Sequence, residues 1–309
     1  MSAFGLSLPK IKPPFLCKGD TVGIVAPARK VSREEMNVAI EILRSWGLLV
    51  KEGTHLYGIQ DQFSGTDEER ASDMQNMLDD PNIKAVFSAR GGYGCLRIID
   101  KLNFASFLRS PKWLVGYSDM TVFHSHMHAL GVETLHGTMP INFGKDEEST
   151  ESLRASLFGD SLSYSWESNL TGRKGSSEGE LIGGNLSLLY ALNNSQSDLD
   201  TRGKILFLED LDEYLYHIDR MMLNLKRSGK LSELKGLVIG GMTDMKDNAI
   251  PFGKNAEEII FDAVREFNYP VCYGFSAGHT TRNLAFRLGS KVSLIVAGKV
   301  NTLSFEKQE

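Results

Sequence analysis

The chain has few cysteines. Cys17, Cys95 and Cys272 are its only three in 309 residues, and none forms a CxxC pair. An odd number without paired spacing argues against a disulfide framework and fits a reducing compartment. No uncharged apolar run is long enough to span a bilayer. Residues 1–14 lack a charged segment followed by a long apolar one, so no secretory signal is read there, and a cytoplasmic location is expected. Basic residues are outnumbered, 34 against 39 acidic, and they are scattered; the formal net charge is −5. Nucleic acid and anionic membrane favour clustered basic residues, so neither is an expected partner. The glycine turn Gly91-Gly92-Tyr93-Gly94 lacks the Lys-Ser/Thr of a P-loop and is not GxGxxG, which leaves little for a nucleotide site. What remains, 41% hydrophobic and 24% charged residues, reads as globular, with length for one large domain or two ordinary ones.

The first half alternates strand-like and helix-like segments. Thr21–Ala28 is a short apolar run. Ser32 opens a helix with Glu35 placed for a capping box and Met36, Ala39, Ile40 and Leu43 on one face. Further strands are expected near 48–50, 83–88, 113–117 and 132–135, with a helix over 68–78. Such alternation predicts an α/β fold with a doubly wound parallel sheet, whose ligands sit beyond the carboxyl ends of the strands. Between about 144 and 177 the sequence turns polar and weakly periodic. The expected organisation is an N-terminal α/β domain over 1–150, a linker over 151–175, and a smaller C-terminal α/β domain with a mixed, β-rich sheet over 176–309. Short β runs at 179–182, 204–208, 236–239 and 292–296 and helical stretches near 186–192, 214–226 and 256–267 fill that second half. A final hairpin turns at Gly298-Lys299.

The segment Trp113-Leu-Val-Gly-Tyr-Ser118-Asp119-Met-Thr121 carries the most chemistry. An apolar run feeds directly into Gly-Tyr-Ser-Asp and then into a helical pattern. A serine placed so sits on a sharp strand-to-helix turn with helix N–H groups beside it, as in the nucleophile elbow of acyl-transfer hydrolases. Serine needs a neighbouring base. His279, in a Gly-His-Thr-Thr turn after the run 271–278, is one of seven histidines and the candidate. Glu209, where an acidic residue interrupts an apolar strand, is the candidate to orient it. Oxyanion donors are expected from the backbone N–H groups of Asp119 and Gly92. Each has a plainer reading: Ser118 as a helix N-cap, Glu209 as a solvated strand end, His279 as a hydrogen-bonded loop residue. His124, His126 and His128 form a competing group, with His124 and His128 one helical turn apart. That spacing can hold zinc, but the metalloprotease pattern would have Glu where the chain has Ser125.

These residues resemble the LD-carboxypeptidases, a serine-peptidase family that includes muramoyltetrapeptide carboxypeptidase and the microcin C self-immunity protein. The likeness runs over nearly the whole chain, through Gly19–Ala28, Ala89–Gly94, Gly116–Thr121, Leu135–Met139, Gly183–Leu186, Leu208–Asp210 with Ile218–Arg220, and Gly278-His279. It implies a triad of Ser118 as nucleophile, His279 as base and Glu209 as orienting carboxylate, and an oxyanion hole near Gly92 and Asp119. It further implies two domains that divide the triad between them, a homodimer, and no cofactor or metal. The implied reaction is hydrolysis of the amide to a terminal D-alanine of a murein tetrapeptide in cell-wall recycling. By position alone, Arg90 is the candidate for the substrate's free carboxylate.

Two other functions stay open. A microcin-immunity-type hydrolase would cleave amides of aminoacyl or peptidyl nucleotides with the same triad, but needs a wall that stacks the base. The stretch 210–214 offers Tyr214, no tryptophan and no long insertion, which favours the murein peptide. A non-catalytic peptide-binding protein would keep the cleft without turnover.

Overall fold

The computed structural model describes residues 10–170 and 172–306. Within it the chain folds as an α/β protein with two sheets. The first sheet takes β1 (Thr21–Val25), β2 (Leu49–Glu52), β3 (Ile83–Ser88), β4 (Trp113–Gly116) and β5 (Thr134–His136) in parallel. A sixth strand, β11 (Phe286–Leu288), comes from the far end of the chain and runs antiparallel to β5. Helices cover both faces. On one side α1 (Arg33–Ser45) and α6 (Glu147–Phe158) close over Val22, Ile24, Phe87 and Val115. On the other, α2 (Asp67–Asp79), the short α3 (Cys95–Ile98) and α4 (Ala105–Arg109), and α5 (Thr121–Ala129) close over Val25, Val86 and Leu114. Alternate strand residues thus feed opposite cores, as the two-residue period of a strand requires. The expected α1 cap is present: Ser32 Oγ accepts from Glu35 N at 3.2 Å, and Glu35 returns a bond to Ser32 N at 2.7 Å. Met36, Ala39, Ile40 and Leu43 are its buried face.

The second sheet has the order β10-β9-β8-β7-β12-β13-β6. Strands β7 (Gly175–Asn185), β8 (Ile205–Leu211), β9 (Gly236–Thr243) and β10 (Val271–Cys272) are parallel. The expected hairpin of β12 (Lys291–Val296) and β13 (Val300–Phe305), with β6 (Ser163–Glu167), extends it antiparallel. Helices α7 (Leu186–Leu192), α8 (Leu215–Arg227) and α9 (Ala256–Val264) pack on one face. The opposite face buries Phe207, Phe275 and Leu294 with Phe286 and Leu288 of β11.

Some elements were not legible. The polar stretch expected as a linker holds most of α6, from Glu151 on, and all of β6. Helix α6 blurs the periodicity because its inward face mixes serines with Leu153 and Leu157: Ser149 and Ser152 are buried, and their hydroxyls accept from Asn283 N and Ala285 N at 2.8 and 2.9 Å. Strand β8 runs past the expected end at Leu208 to Leu211, so Glu209 lies inside the sheet rather than at its end.

Candidate active site

The carboxyl ends of the two sets of parallel strands open onto one cleft of about 510 Å³. Arg29 follows β1, Arg90–Gly92 follow β3, Tyr117 and Ser118 follow β4, and Met139–Asn142 follow β5. Facing them are Asn185 and Ser187 at the end of β7, Asp210–Asp212 at the end of β8, and His279 beyond β10. This is the position the strand order requires of a ligand site.

Ser118 stands on the turn between β4 and α5 with φ of +62°, in the left-handed region that few non-glycine residues enter. A single 3-10 turn over Ser118–Met120 leads into α5. The geometry needs space behind the serine, and Gly91 supplies it: a Cβ there would lie 3.0 Å from Ser118 Cβ and 3.2 Å from its Oγ. Gly92 is one residue on, packed against the aliphatic part of Arg29. The Asp119 side chain turns away from the cleft; its Oδ2 accepts from Cys95 N at 2.8 Å.

Glu209 is fully buried in β8, at a register shift between β8 and β9. A bulge of this kind re-aims a side chain. Glu209 Oε2 accepts from the His279 ring Nδ1 at 2.7 Å and from His279 N at 3.2 Å. The approach depends on Gly278, with φ of +96°, whose Cβ would lie 2.5 Å from the same oxygen. His279 Nε2 is 3.0 Å from Ser118 Oγ. Ser118, His279 and Glu209 therefore form one continuous hydrogen-bonded chain.

Burial works against a charged His279 ring, but the Glu209 bond and charge, with Asp210 behind them, outweigh it and raise its pKa. The Tyr117 ring packs edge-on against the imidazole at 5.1 Å, its phenol pushed up to about 12 by burial and Glu209. Asp210 is held by Asn185 Nδ2, Leu211 N and Ser187 N at 2.8–2.9 Å; burial and the neighbouring Glu209 raise its pKa to about 7. Thr243 Oγ1 donates to His279 O at 2.6 Å and fixes the loop from below.

The clustered histidines are engaged elsewhere. His124 is buried between Thr134 Oγ1 (2.8 Å) and Gly116 O (2.9 Å), with its pKa pushed down to about 4 by burial. His126 bonds Ser197 Oγ at 2.8 Å. His128 lies 3.1 Å from Glu180 Oε1, in a cluster with Lys10 and Lys204. Among the described residues no group of three or more His, Cys, Asp or Glu is placed to hold a metal ion. Arg90 lines the cleft, partly exposed, with a Glu35 carboxylate 4.0 Å away. Tyr214 does not line it and instead pairs with Tyr216 at 5.6 Å. Sequence reasoning missed Gly91, Tyr117, Asn142 and Asn283. The run of glycines marked the first and Tyr117 adjoins Ser118 in the chain; the two asparagines reach the site only through tertiary packing.

Two LD-carboxypeptidase domains match the chain, the N-terminal domain over residues 22–137 and the C-terminal domain over residues 178–294. A probable murein peptide carboxypeptidase of Bacillus subtilis is 36% identical over 93% of this chain and 92% of its own. The chain belongs to the LD-carboxypeptidase family. It is a serine carboxypeptidase, and its two-sheet architecture is that of the family's paired domains. The crystal structure of muramoyltetrapeptide carboxypeptidase from Oxalobacter formigenes superposes with a TM-score of 0.84 at 28% identity, over 92% of this chain and 98% of that one. The microcin C7 self-immunity protein MccF has the same fold, with a TM-score of 0.82 at 21% identity over 96% and 98%. No helix among the described residues is long and apolar enough to cross a membrane.

Proposed function

We propose that this carboxypeptidase hydrolyses the amide between an L-centre and the terminal D-alanine of a murein tetrapeptide, with Ser118, His279 and Glu209 as its catalytic residues. The hydrogen-bonded line from Ser118 Oγ through the imidazole to buried Glu209 carries the reading. Ser118 Oγ attacks the carbonyl carbon as its proton passes to His279 Nε2. Glu209 holds the Nδ1–H tautomer and stabilises the imidazolium. The oxyanion takes bonds from the Gly92 and Asp119 N–H groups. Collapse breaks the C–N bond, and His279 gives its proton to the leaving amine. Water, deprotonated by the same imidazole, then releases the acyl group and restores Ser118.

The murein substrate is supported by the names of the relatives. The homodimer and the recycling role rest on the family resemblance, and the cytoplasmic location on the isolated cysteines and the absence of a signal-like segment in the sequence read.

The test is release of alanine from a tetrapeptide ending in D-alanine, beside its all-L counterpart and an aminoacyl sulfamoyl-adenosine. Release from the D-ended peptide alone is expected, falling about 10⁶-fold in Ser118→Ala. Preference for the nucleotide amide would move the substrate to the microcin type. Tight peptide binding without turnover would make the protein a binder.

A further inference from the structure

A leaving amine that takes its proton from His279 Nε2 must lie on the imidazole side of Ser118. The opposite side is walled by Gly91, on the same turn as Arg90, so near the serine that a Cβ there would lie 3.0 Å from Ser118 Cβ and 3.2 Å from its Oγ. On the imidazole side the cleft continues into a second cavity of about 230 Å³. Its walls include Thr280 and Thr281, the residues directly after His279, together with Thr138 and Asn283. It shares Tyr117, Asn142 and Lys145 with the main cleft. At roughly 30 Å³ per water, the cavity has the room of about eight waters, which suits one small residue with about six heavy atoms.

We propose that this cavity holds the leaving residue and that Lys145 and Asn283 bind its free carboxylate; the proposal rests on the hydrolase reading above. Lys145 brings an ammonium with three N–H donors, of which one goes to Asn142 Oδ1 at 2.9 Å. Asn283 is only 4% exposed. Its Oδ1 accepts from Gly278 N at 2.9 Å and lies 3.3 Å from His136 Nε2, so the amide orientation is set. The other end, Nδ2, is buried without a partner. A buried donor left empty is costly; Asn283 lines the cavity wall, and a carboxylate reaches its Nδ2 when that wall yields slightly around the bound residue. Asp146 also lines the cavity. Its Oδ1 is taken up at the N-cap of α6 by Ser149 N and Ser149 Oγ, which with Arg282 nearby hold its carboxyl below the usual range. The site therefore offers a cation and a fixed amide to an anion that ends the peptide. It explains removal of one terminal residue rather than cleavage within a chain, and it moves the carboxylate partner from Arg90 to the other side of Ser118.

The experiment compares kcat/KM for a tetrapeptide ending in D-alanine and for the same peptide ending in D-alaninamide. It uses wild type, Lys145→Met, Lys145→Arg and Arg90→Ala. Wild type should prefer the free acid. Lys145→Met should cut that preference by roughly 10- to 100-fold, mainly through KM, and Lys145→Arg should restore part of it. Arg90→Ala should keep the wild-type preference. The subsite is overturned, and the hydrolase reading stands, if wild type cleaves acid and amide equally. The same holds if Lys145→Met retains the preference, or if it collapses in Arg90→Ala instead. Cleavage of neither peptide by wild type overturns both readings.

Discussion

The two sides of the cleft are built in different ways. Ser118 is placed by its own neighbours: β4 ends, the backbone turns through a left-handed residue, and α5 begins within three residues. Glu209 and His279 are placed by distant ones. They lie 70 residues apart on different segments and meet through a bulge in β8 and a glycine turn. The His279 loop is then tied by Thr243, by Asn283, and by serines of α6 in the other half of the chain. A local device tolerates change elsewhere in the molecule. An assembled one fails when any of its ties is cut.

The comparison breaks most sharply at Glu209. Glu209→Gln keeps the shape of the side chain but removes the charge that fixes the imidazole tautomer, and activity should fall by roughly 10⁴-fold. The pH profile should move as well. The base must be neutral, so activity falls on the acid side as pH drops through the His279 pKa. Glu209 and Asp210 raise that pKa above the ordinary 6.5 against the effect of burial, so the wild-type acid limb should be centred above 6.5. Without the Glu209 charge, burial acts with less opposition and the limb should move to lower pH. A profile of kcat/KM against pH for both proteins measures this. An unmoved limb would separate Glu209 from the titrating base.

Gly278 tests the same assembly through the backbone. Gly278→Ala places a methyl group 2.5 Å from Glu209 Oε2 at a residue with φ of +96°. The pair must open, and the strained backbone costs about 1–3 kcal/mol. Activity should drop on the order of 10²-fold, the scale on which misplacement of about 1 Å acts, together with the melting temperature. Gly91→Ala, behind Ser118, meets only a 3.0 Å contact and no positive φ. It should therefore lose activity with a smaller loss of stability. Chemical denaturation and initial rates on both variants check the contrast; equal destabilisation would erase it.

The same division explains what could be read from sequence. The Ser118 turn is legible because strand, turn and helix are contiguous, and Ser32 with Glu35 is legible because a cap is a four-residue event. In local pattern Glu209 is no more than an acid interrupting an apolar run; its role comes from the family resemblance. That it sits in mid-strand at a bulge depends on pairing with β9, which no local pattern records. Strand β11 is three residues long and joins β5 across some 150 residues of chain, too short and too remote for alternation to announce it. Helix α6 hid because serines that serve the His279 loop share its buried face with only two core leucines, Leu153 and Leu157. Tyr117 adjoins the conspicuous serine, yet only the folded site shows its ring against the imidazole.

The smallest effect isolates the local device by itself. Ser118→Ala and Ser118→Gly both remove the hydroxyl and its 3.0 Å contact with His279 Nε2, so both should be inactive. They differ in the backbone. Alanine keeps a Cβ at φ of +62°, where an L-residue pays about 1–2 kcal/mol, while glycine enters that region freely. Glycine also gives back part of the gain, because it has more freedom to lose on folding. Ser118→Gly should therefore exceed Ser118→Ala in unfolding free energy by about 1 kcal/mol, read from paired denaturation midpoints at equal slope. A Ser118→Gly less stable than Ser118→Ala would mean that the turn stores no strain at Ser118, since only the greater freedom glycine loses on folding would then separate them. The serine would then be held, as the base side is, by what surrounds it rather than by the chain's own sharp turn.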